Sequence, residues 1–212
     1  MQTMTRAAYT KTIIPAEIRE SMASHYRAVC EESRAVAAAV RGYINTAFSQ
    51  RKSLVLYGPP GTAKTLLAAG IFNELGSRLD DRRKFEDFAA AGTADNIAWI
   101  RGDQLPGKWS HKPDDADPRS GAEWTYHLST AHLVVIDDMD KCPVQDNWGA
   151  QLFGLIDTRL CDKRLPTIIT MNHSPAGFIK RFGEANGEPI ISRIQRTGGL
   201  FIRVPKVNLG GR

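Results

Sequence analysis

One glycine-rich segment limits the folds open to this chain more than any other feature. It reads SLVLYGPPGTAKT from Ser53 to Thr65: a short apolar run, Leu54 to Tyr57, stops at Gly58, and a proline-glycine turn then leads into Lys64 and Thr65. This order predicts a buried strand, a loop and the first turn of a helix. Such a loop presents backbone N–H groups and the positive end of the helix dipole to one point, which favours a polyphosphate ligand.

The residue types at the end of the loop suit a nucleotide with its magnesium ion. We expect Lys64 to reach the β- and γ-phosphates of ATP or ADP and the Thr65 hydroxyl to bind the Mg²⁺ that bridges them. The alternative is an ordinary turn before a helix that happens to begin with Lys-Thr. However, the strand, the loop, the lysine and the helix follow one another in the order that a phosphate-binding loop requires. The residues expected to bind the nucleotide are Gly58, Pro59, Gly61, Thr62, Ala63, Lys64 and Thr65.

The loop departs from the P-loop pattern G-x-x-x-x-G-K-[ST] at one position. Ala63 stands where the pattern has the glycine before the lysine. Alanine is compatible with right-handed backbone angles, but its methyl group lies close to the phosphates and it is penalised at positive φ.

Length and composition predict one domain. The 212 residues suffice for one sizeable core, and 42% hydrophobic and 24% charged residues are ordinary for a globular protein. We expect an N-terminal helical lead-in over 1–50 packed on the core, a nucleotide-binding core over 51–205 and a tail over 206–212. No stretch has the length of a membrane span, and no secretory signal is visible. Three cysteines without metal-binding spacing are typical of a reduced, cytoplasmic protein.

Charge is distributed unevenly along the chain. Residues 1–57 carry 8 Lys and Arg against 4 Asp and Glu, and residues 175–212 carry 7 against 2, whereas residues 58–174 carry 13 against 17. Basic ends around an acidic middle are compatible with a phosphate-bearing partner, either nucleotide or nucleic acid. Solubility alone is an equally good explanation.

Alternating apolar strands and helical patterns predict a five-stranded parallel sheet with helices on both faces. In such sheets ligands bind at the carboxyl ends of the strands. We also expect a helical insertion before residue 97 and a long surface loop from Leu105 to Tyr126, where Pro, Gly and Asp dominate. The strands are predicted at 54–57, 97–100, 133–136, 166–171 and 200–204.

Two carboxylates follow the third of these strands. After the apolar run LVVI come Asp137 and Asp138, about seventy residues past the loop. In a nucleotide hydrolase the first such carboxylate holds Mg²⁺ and the second polarises the attacking water. The alternative is a solvated acidic turn.

Two further side chains fit a site that distinguishes the third phosphate. Asn172, just past the fourth strand, can donate to a γ-phosphate and accept from a water; otherwise it is a turn asparagine. Arg193, on a predicted helix, can supply an arginine finger to the nucleotide of a neighbouring subunit; otherwise it is a surface arginine or pairs with Glu188.

A possible contact with single-stranded DNA lies in the predicted loop. Stacking side chains in basic surroundings hold single strands without reading their sequence, but an exposed Trp-Lys pair is also common on surfaces, and Asp114, Asp115 and Asp117 follow closely. The candidate residues are Lys108, Trp109, His111 and Lys112 in the loop, together with Lys141 and Trp148 near the strand that ends in Asp137 and Asp138.

Four motifs together resemble one family. GPPGTAKT, HLVVIDDMD, LFGLIDTRLCDKRLPTIITMNHSP and ISRIQRTGGLFIRV are similar, in order and spacing, to AAA+ ATPases of the DnaC/IstB type, which include helicase loaders and ATPase subunits of transposition systems. The resemblance covers residues 53–204, and IIPAEIR at 13–19 resembles the lead-in of those domains. It implies a P-loop NTPase fold with the Walker A motif at Gly58 to Thr65, the Walker B motif at Asp137 and Asp138, sensor 1 at Asn172 and a trans-acting arginine finger at Arg193.

The resemblance also implies how the protein works. We expect a homo-oligomeric ring or spiral that binds and hydrolyses ATP at subunit interfaces and acts on replication or transposition complexes, with DNA and a helicase or transposase as partners. Asp138 stands where many relatives have Glu, which predicts slow hydrolysis. From the length of the sequence we expect neither a separate N-terminal partner-binding domain nor a full C-terminal lid. The alternative is a nucleotide-gated adaptor with negligible turnover; a small-molecule kinase would leave Asn172 and Arg193 without a purpose.

Overall fold

A single parallel sheet organises the molecule. The computed structural model describes residues 30–83, 97–114, 117–145 and 147–206, together with Ala23 and Tyr26. Within them five strands are hydrogen-bonded in the order β2-β3-β4-β1-β5, and every neighbouring pair is parallel. The strands are β1 Leu54–Tyr57, β2 Ile97–Arg101, β3 Leu133–Asp137, β4 Thr167–Met171 and β5 Leu200–Arg203.

Helices connect the strands and cover both faces of the sheet, as predicted. They are α1 Glu31–Gln50, α2 Lys64–Arg83, α3 Leu105–Trp109, α4 Gly121–Thr130, α5 Trp148–Asp157, α6 Pro175–Phe182 and α7 Gly187–Arg196, with 3-10 turns at Gly102–Gln104 and Met139–Lys141 and a π-helical turn at Thr158–Asp162.

The strands are buried on both faces because alternate side chains enter two different cores. Leu54 and Leu56 of β1 pack with α1 and α2, whereas Val55 packs with α4 to α7. The period of two along a strand produces this division. It explains why the strands are apolar throughout rather than alternating, as is typical of a parallel sheet covered on both sides.

Register aligns the carboxyl ends of the central strands. Tyr57 pairs with Met171 across β1 and β4, and Ile136 pairs with Ile169 across β3 and β4. The segments that follow β1, β3 and β4 therefore begin side by side at one edge of the sheet.

The predicted surface loop from Leu105 to Tyr126 is wrong, because this segment contains α3 and the first part of α4. Pro106 lies in the first turn of α3, where a missing N–H is tolerated. Ser120 and Glu123 form a capping box that starts α4. The Trp124 indole N–H donates to Asp117 at 2.9 Å. The Ser-x-x-Glu pattern of a capping box is present in the sequence at Ser120 and Glu123, within a segment rich in Pro, Gly and Asp.

Several expectations lie outside the described residues. They are the lead-in at 13–19, the helix predicted before residue 30 apart from Ala23 and Tyr26, most of the insertion before residue 97, and the tail after Lys206. Across the part of the chain that is described, no helix combines the length and the apolar character needed to cross a membrane.

Candidate functional site

The loop between β1 and α2 has the backbone geometry of an anion cradle. Gly58 has φ 151°, and a Cβ there would lie 2.3 Å from the carbonyl oxygen of Val204. Gly61 has φ 78°. Only glycine avoids strain at both places. The two glycines are thus required by the path of the loop, independently of any ligand.

Ala63 adopts a conformation that disfavours alanine. Its φ is 61°, in the left-handed region, immediately before the first residue of α2. The right-handed geometry that would make alanine harmless is therefore not the one found. A residue with a Cβ costs about 1 kcal/mol here relative to glycine.

Lys64 lies inside the loop rather than in solvent. Its ammonium group donates to the carbonyl oxygens of Gly58 and Pro59, both at 2.8 Å, and to the Thr62 hydroxyl at 3.3 Å. Only 5% of the residue is exposed. Burial lowers the pKa of Lys64, and the carboxylates of Asp138, Asp140 and Asp137 oppose that effect. Anionic phosphate oxygens would be stronger acceptors for this cation than the loop carbonyls.

Thr65 and Asp137 meet directly. The Thr65 hydroxyl donates to Asp137 Oδ1 at 2.9 Å, and the Thr170 hydroxyl donates to the same oxygen at 2.6 Å. Burial raises the pKa of the Asp137 carboxyl, although the two hydroxyl donors act in the opposite direction. The structure thus brings together the two residues that the sequence predicted as magnesium ligands.

These two oxygens match the chemistry of a magnesium site. Mg²⁺ prefers hard oxygen ligands and is commonly bound by one or two protein oxygens together with substrate phosphates. In the described residues, no group of three His, Cys, Asp or Glu side chains could hold a metal by itself. A hydroxyl and one carboxylate at the mouth of a phosphate loop therefore fit an ion that arrives with its nucleotide.

The Asp138 side chain contacts different residues from those that contact Asp137. It has left-handed backbone angles, φ 48° and ψ 50°, so the chain turns as β3 ends. Asn172 Nδ2 donates to Asp138 Oδ1 at 3.1 Å, and Lys141 Nζ lies 2.7 Å from Asp138 Oδ2. The hydrogen bond to Asp138 raises the pKa of Lys141. The predicted catalytic carboxylate and the predicted sensor amide are thus in contact.

A third carboxylate, Asp140, fastens the segment after β4 to the segment after β3. Its Oδ2 accepts the backbone N–H groups of Asn172 at 2.8 Å and His173 at 3.0 Å, and it lies 2.5 Å from His173 Nδ1. Asp140 is 2% exposed, and its Oδ1 is buried with no hydrogen-bond partner among the described residues. In the sequence Asp140 is marked only as the last acidic residue of DDMD, whereas in the structure it orients Asn172.

Arg193 contacts α5 rather than the residues around Asp137. Its Nε donates to Asp157 Oδ1 at 2.6 Å, and its guanidinium lies 5.3 Å from the centre of the Phe153 ring. The side chains of Arg193 and Asp157 are 32% and 34% exposed. Within the described part of the chain, the alternative of a pairing with Glu188 is not observed, and Arg193 pairs with Asp157 instead. Among the described residues, no hydrogen bond or ion pair joins the Arg193 side chain to the chain's own phosphate loop.

The side chains expected to stack on DNA are occupied within the molecule. Trp109 and Trp148 stack on each other with ring centres 5.9 Å apart. Lys108 pairs with Asp117 at 2.9 Å and lies 4.0 Å from the Trp124 ring centre. Trp109 and Lys108 therefore contribute to packing of α3, α4 and α5, and they do not form an open stacking surface.

Comparison with known proteins identifies the family of the chain. Residues 54–180, more than half of the chain, match the ATPase family associated with various cellular activities (AAA). The chain belongs to the AAA family. The expected membership is confirmed, and the P-loop NTPase fold of the AAA+ type with it.

Solved structures share the fold of this AAA protein at low sequence identity. The DnaC helicase loader superposes with a TM-score of 0.68 at 16% identity, covering 90% of this chain and 100% of that one. DnaI gives 0.68 at 17% identity, with coverages of 96% and 99%. The replication initiator DnaA bound to AMPPCP and single-stranded DNA gives 0.65 at 15% identity, with coverages of 92% and 52%. No curated protein sequence matches the chain.

Four residues make contacts with the predicted site residues that the sequence did not predict. Thr170 is an ordinary strand residue by pattern, and Asp140, Lys141 and Asp157 are ordinary surface charges by pattern. Only Asp140 left a local signal, as the third acidic residue of DDMD. Their partners are more than thirty residues away for Thr170, Asp140 and Asp157, so no local pattern could reveal the contacts.

Proposed function

We propose that this AAA protein binds and hydrolyses ATP with Mg²⁺ and that the hydrolysis depends on assembly. The observation that carries the proposal is the 2.9 Å contact between Thr65 and Asp137 at the mouth of the phosphate loop. The contact brings together Thr65 of the loop and Asp137 of the strand, and both side chains are suited to bind the same magnesium ion. A turn without a nucleotide function has no need of that pairing.

The chain's own residues divide the work. The loop from Gly58 to Thr65 binds the phosphates, and Lys64 exchanges its carbonyl acceptors for β- and γ-phosphate oxygens. Thr65 and Asp137 would hold Mg²⁺, which supplies charge neutralisation on the phosphate oxygens. Asp138 orients and polarises the attacking water, while Asn172 places its amide between that carboxylate and the third phosphate.

Arg193 acts on a neighbouring copy of the chain. Its guanidinium is partly exposed, and its pairing with Asp157 is a surface ion pair, a type of contact that contributes little to stability. Such a pair is readily exchanged for the γ-phosphate of an adjacent subunit in a ring or spiral. Hydrolysis would then require assembly.

The biological setting we propose is DNA replication, with a role similar to that of a helicase loader. Support comes from the fold shared with the DnaC helicase loader and DnaI over nearly the whole chain. The DnaA structure bound to AMPPCP and single-stranded DNA supports ATP and DNA as ligands. A replicative helicase is the proposed partner; a transposase is the other partner type that the DnaC/IstB resemblance suggests.

A nucleotide-gated adaptor with negligible turnover is the second candidate function. Two observations favour it: Ala63 lies in a left-handed conformation directly before Lys64, and the Asp138 carboxylate is paired with Lys141 at 2.7 Å. Ala63 adds a methyl group near the phosphates. The pairing with Lys141 neutralises the Asp138 carboxylate, which is the group proposed to polarise water.

ATP hydrolysis measured with and without single-stranded DNA separates the two functions. We expect slow turnover by the wild type, with Lys64→Ala losing nucleotide binding and Asp138→Asn keeping binding but losing turnover. Nucleotide affinity is followed with a fluorescent ADP analogue. Turnover that neither substitution changes would overturn the site assignment, and tight binding with no turnover in any assembly would favour the adaptor.

A further inference from the structure

A recess at the opposite end of the sheet from the phosphate loop is lined by three arginines. Its volume is about 520 Å³, and Arg51, Arg164 and Arg196 all contribute to its wall. Arg51 and Arg164 lie three residues before β1 and β4, and Arg196 lies four residues before β5. Each arginine therefore precedes a strand, and the three meet where the strands begin. We call this feature the arginine recess.

The described residues that line the arginine recess include no acidic side chain. Asp157 and Asp162 lie close to the lining residue Cys161, but the Asp157 carboxylate is already paired with Arg193. Within the described residues, none of the three arginines pairs with a carboxylate, in contrast to Arg193 and Arg101, which pair with Asp157 and Asp103. The aliphatic end of Lys52 lies against Gly198, beside the recess residue Thr197, and adds a further positive charge nearby.

Two of the three arginines occupy backbone positions that suit glycine. Arg51 ends α1 with φ 51° and ψ 38°, and Arg164 has φ 50°. Left-handed backbone is unfavourable for a residue with a Cβ, and helix ends of this kind ordinarily carry Gly or Asn. Local structure therefore does not explain arginine at either position. What the two residues share is that their side chains line the same recess.

We propose that the arginine recess binds the phosphate groups of a nucleic acid strand. Guanidinium groups bind phosphate oxygens in a bidentate manner. Three of them from separate segments, with a lysine beside them, suit a ligand that carries anionic groups in series rather than one isolated anion. A nucleic acid backbone is such a ligand. The free nucleotide already has its own site at the other end of the sheet.

This inference rests on the proposed action on DNA, but it is independent of ATP turnover. The test is binding of a fluorescein-labelled single-stranded oligonucleotide of about 20 nucleotides, measured by anisotropy over a range of salt concentrations without ATP. The informative variant is Arg51→Gly with Arg164→Gly, because glycine relieves the left-handed backbone while it removes both guanidinium groups. We expect its melting temperature to equal or exceed that of the wild type, so that lost binding cannot be attributed to misfolding.

The expected result is a loss of at least about tenfold in affinity, since each charge-assisted contact contributes on that scale. The slope of log affinity against log salt should fall by about two, one for each arginine. Arg196→Gln should weaken binding in the same direction. The matched control is Arg34→Gln, an exposed arginine on α1 about 25 Å along the helix from Arg51, which should bind as the wild type does.

Three outcomes would overturn the proposal. The glycine variant could keep the affinity and salt slope of the wild type. It could lose binding of a poly-glutamate peptide to the same degree as binding of the oligonucleotide, which would identify an acidic protein as the ligand. It could change only self-association, followed by sedimentation, which would make the recess a contact between copies. Failure of the wild type to bind DNA at all would instead refute the proposed action on DNA.

Discussion

Thr65 and Asp137, 72 residues apart in the chain, are joined by a hydrogen bond of 2.9 Å. The contact links the first turn of α2 to the last residue of β3, and Thr170 of β4 donates to the same carboxylate oxygen. The two helix and strand donors, from α2 and β4, therefore bind the same oxygen of β3. The phosphate loop and the acidic strand end, separate motifs in the sequence, form one site because the sheet places β4 between β1 and β3.

Removing the Thr65 hydroxyl should disable hydrolysis without unfolding the protein. We expect Thr65→Ala to lower the rate of ATP hydrolysis about 100-fold, on the scale of losing one preorganised ligand of the reacting phosphate. Thr65→Ser keeps the hydroxyl and should stay close to the wild-type rate. The measurement is steady-state phosphate release across a magnesium titration. Equal rates for the Ala and Ser variants would contradict a role for the hydroxyl.

Ala63→Gly should stabilise the protein. Because Ala63 has φ 61°, glycine relieves the left-handed strain. The greater entropy of unfolded glycine offsets part of that gain, so we expect the free energy of unfolding to rise by about 0.5 kcal/mol. Urea denaturation without nucleotide measures the change. Ala68→Gly, at a buried right-handed position in the same helix, is the matched control and should destabilise. A loss of stability in Ala63→Gly would show that the alanine methyl makes a favourable contact.

Asp140 should act on catalysis through Asn172. Asp140→Ala leaves the N–H groups of Asn172 and His173 without their acceptor, which costs about 1–3 kcal/mol of stability. We expect turnover to fall about tenfold because the sensor amide is misplaced, with nucleotide affinity nearly unchanged.

A double-mutant cycle separates this positioning role from a general loss of stability. If Asp140 acts through Asn172, then Asp140→Ala combined with Asn172→Ala should hydrolyse ATP no more slowly than Asn172→Ala alone. Additive losses in turnover would contradict the coupling. His173→Ala removes only the ring contact and should have the mildest effect of the three.

Arg193 should be required by the neighbouring subunit rather than by its own. We expect Arg193→Ala to lower turnover about 1,000-fold in the assembled protein, as for arginine fingers supplied in trans. Asp157→Asn, which loses the charge of the partner of Arg193, should keep the wild-type rate or exceed it, since the arginine is then freer to reach across.

Mixing two inactive variants tests the trans geometry directly. Lys64→Ala retains Arg193, and Arg193→Ala retains the phosphate loop, so a mixed assembly contains composite sites with both residues. Turnover should appear on mixing although neither variant hydrolyses ATP alone. A mixture that assembles and stays inactive would contradict the trans assignment, and full activity of Arg193→Ala alone would exclude any such role.

Short-range patterns were sufficient for the elements and for the position of the site. The five apolar runs became five parallel strands. Ser174 caps α6 by accepting from the Gly177 N–H, and Pro175 takes the first helical position, which is a common local start of a helix. The loop, Asp137 and Asn172 lie at the carboxyl ends of β1, β3 and β4 because the fold class alone requires it. Such features depend on residues within a few positions of one another, where propensity and periodicity operate.

Tertiary structure alone decided the contacts between distant residues. The left-handed angles of Ala63, the convergence of three donors on Asp140 and the choice of Asp157 as the partner of Arg193 depend on how strands and helices pack. Arg159 is the clearest case: it is fully buried and donates to the carbonyl oxygens of Leu128, Ala131 and Pro166. A sequence states which groups need partners, but the free energy of satisfying them is determined only when packing brings remote segments together.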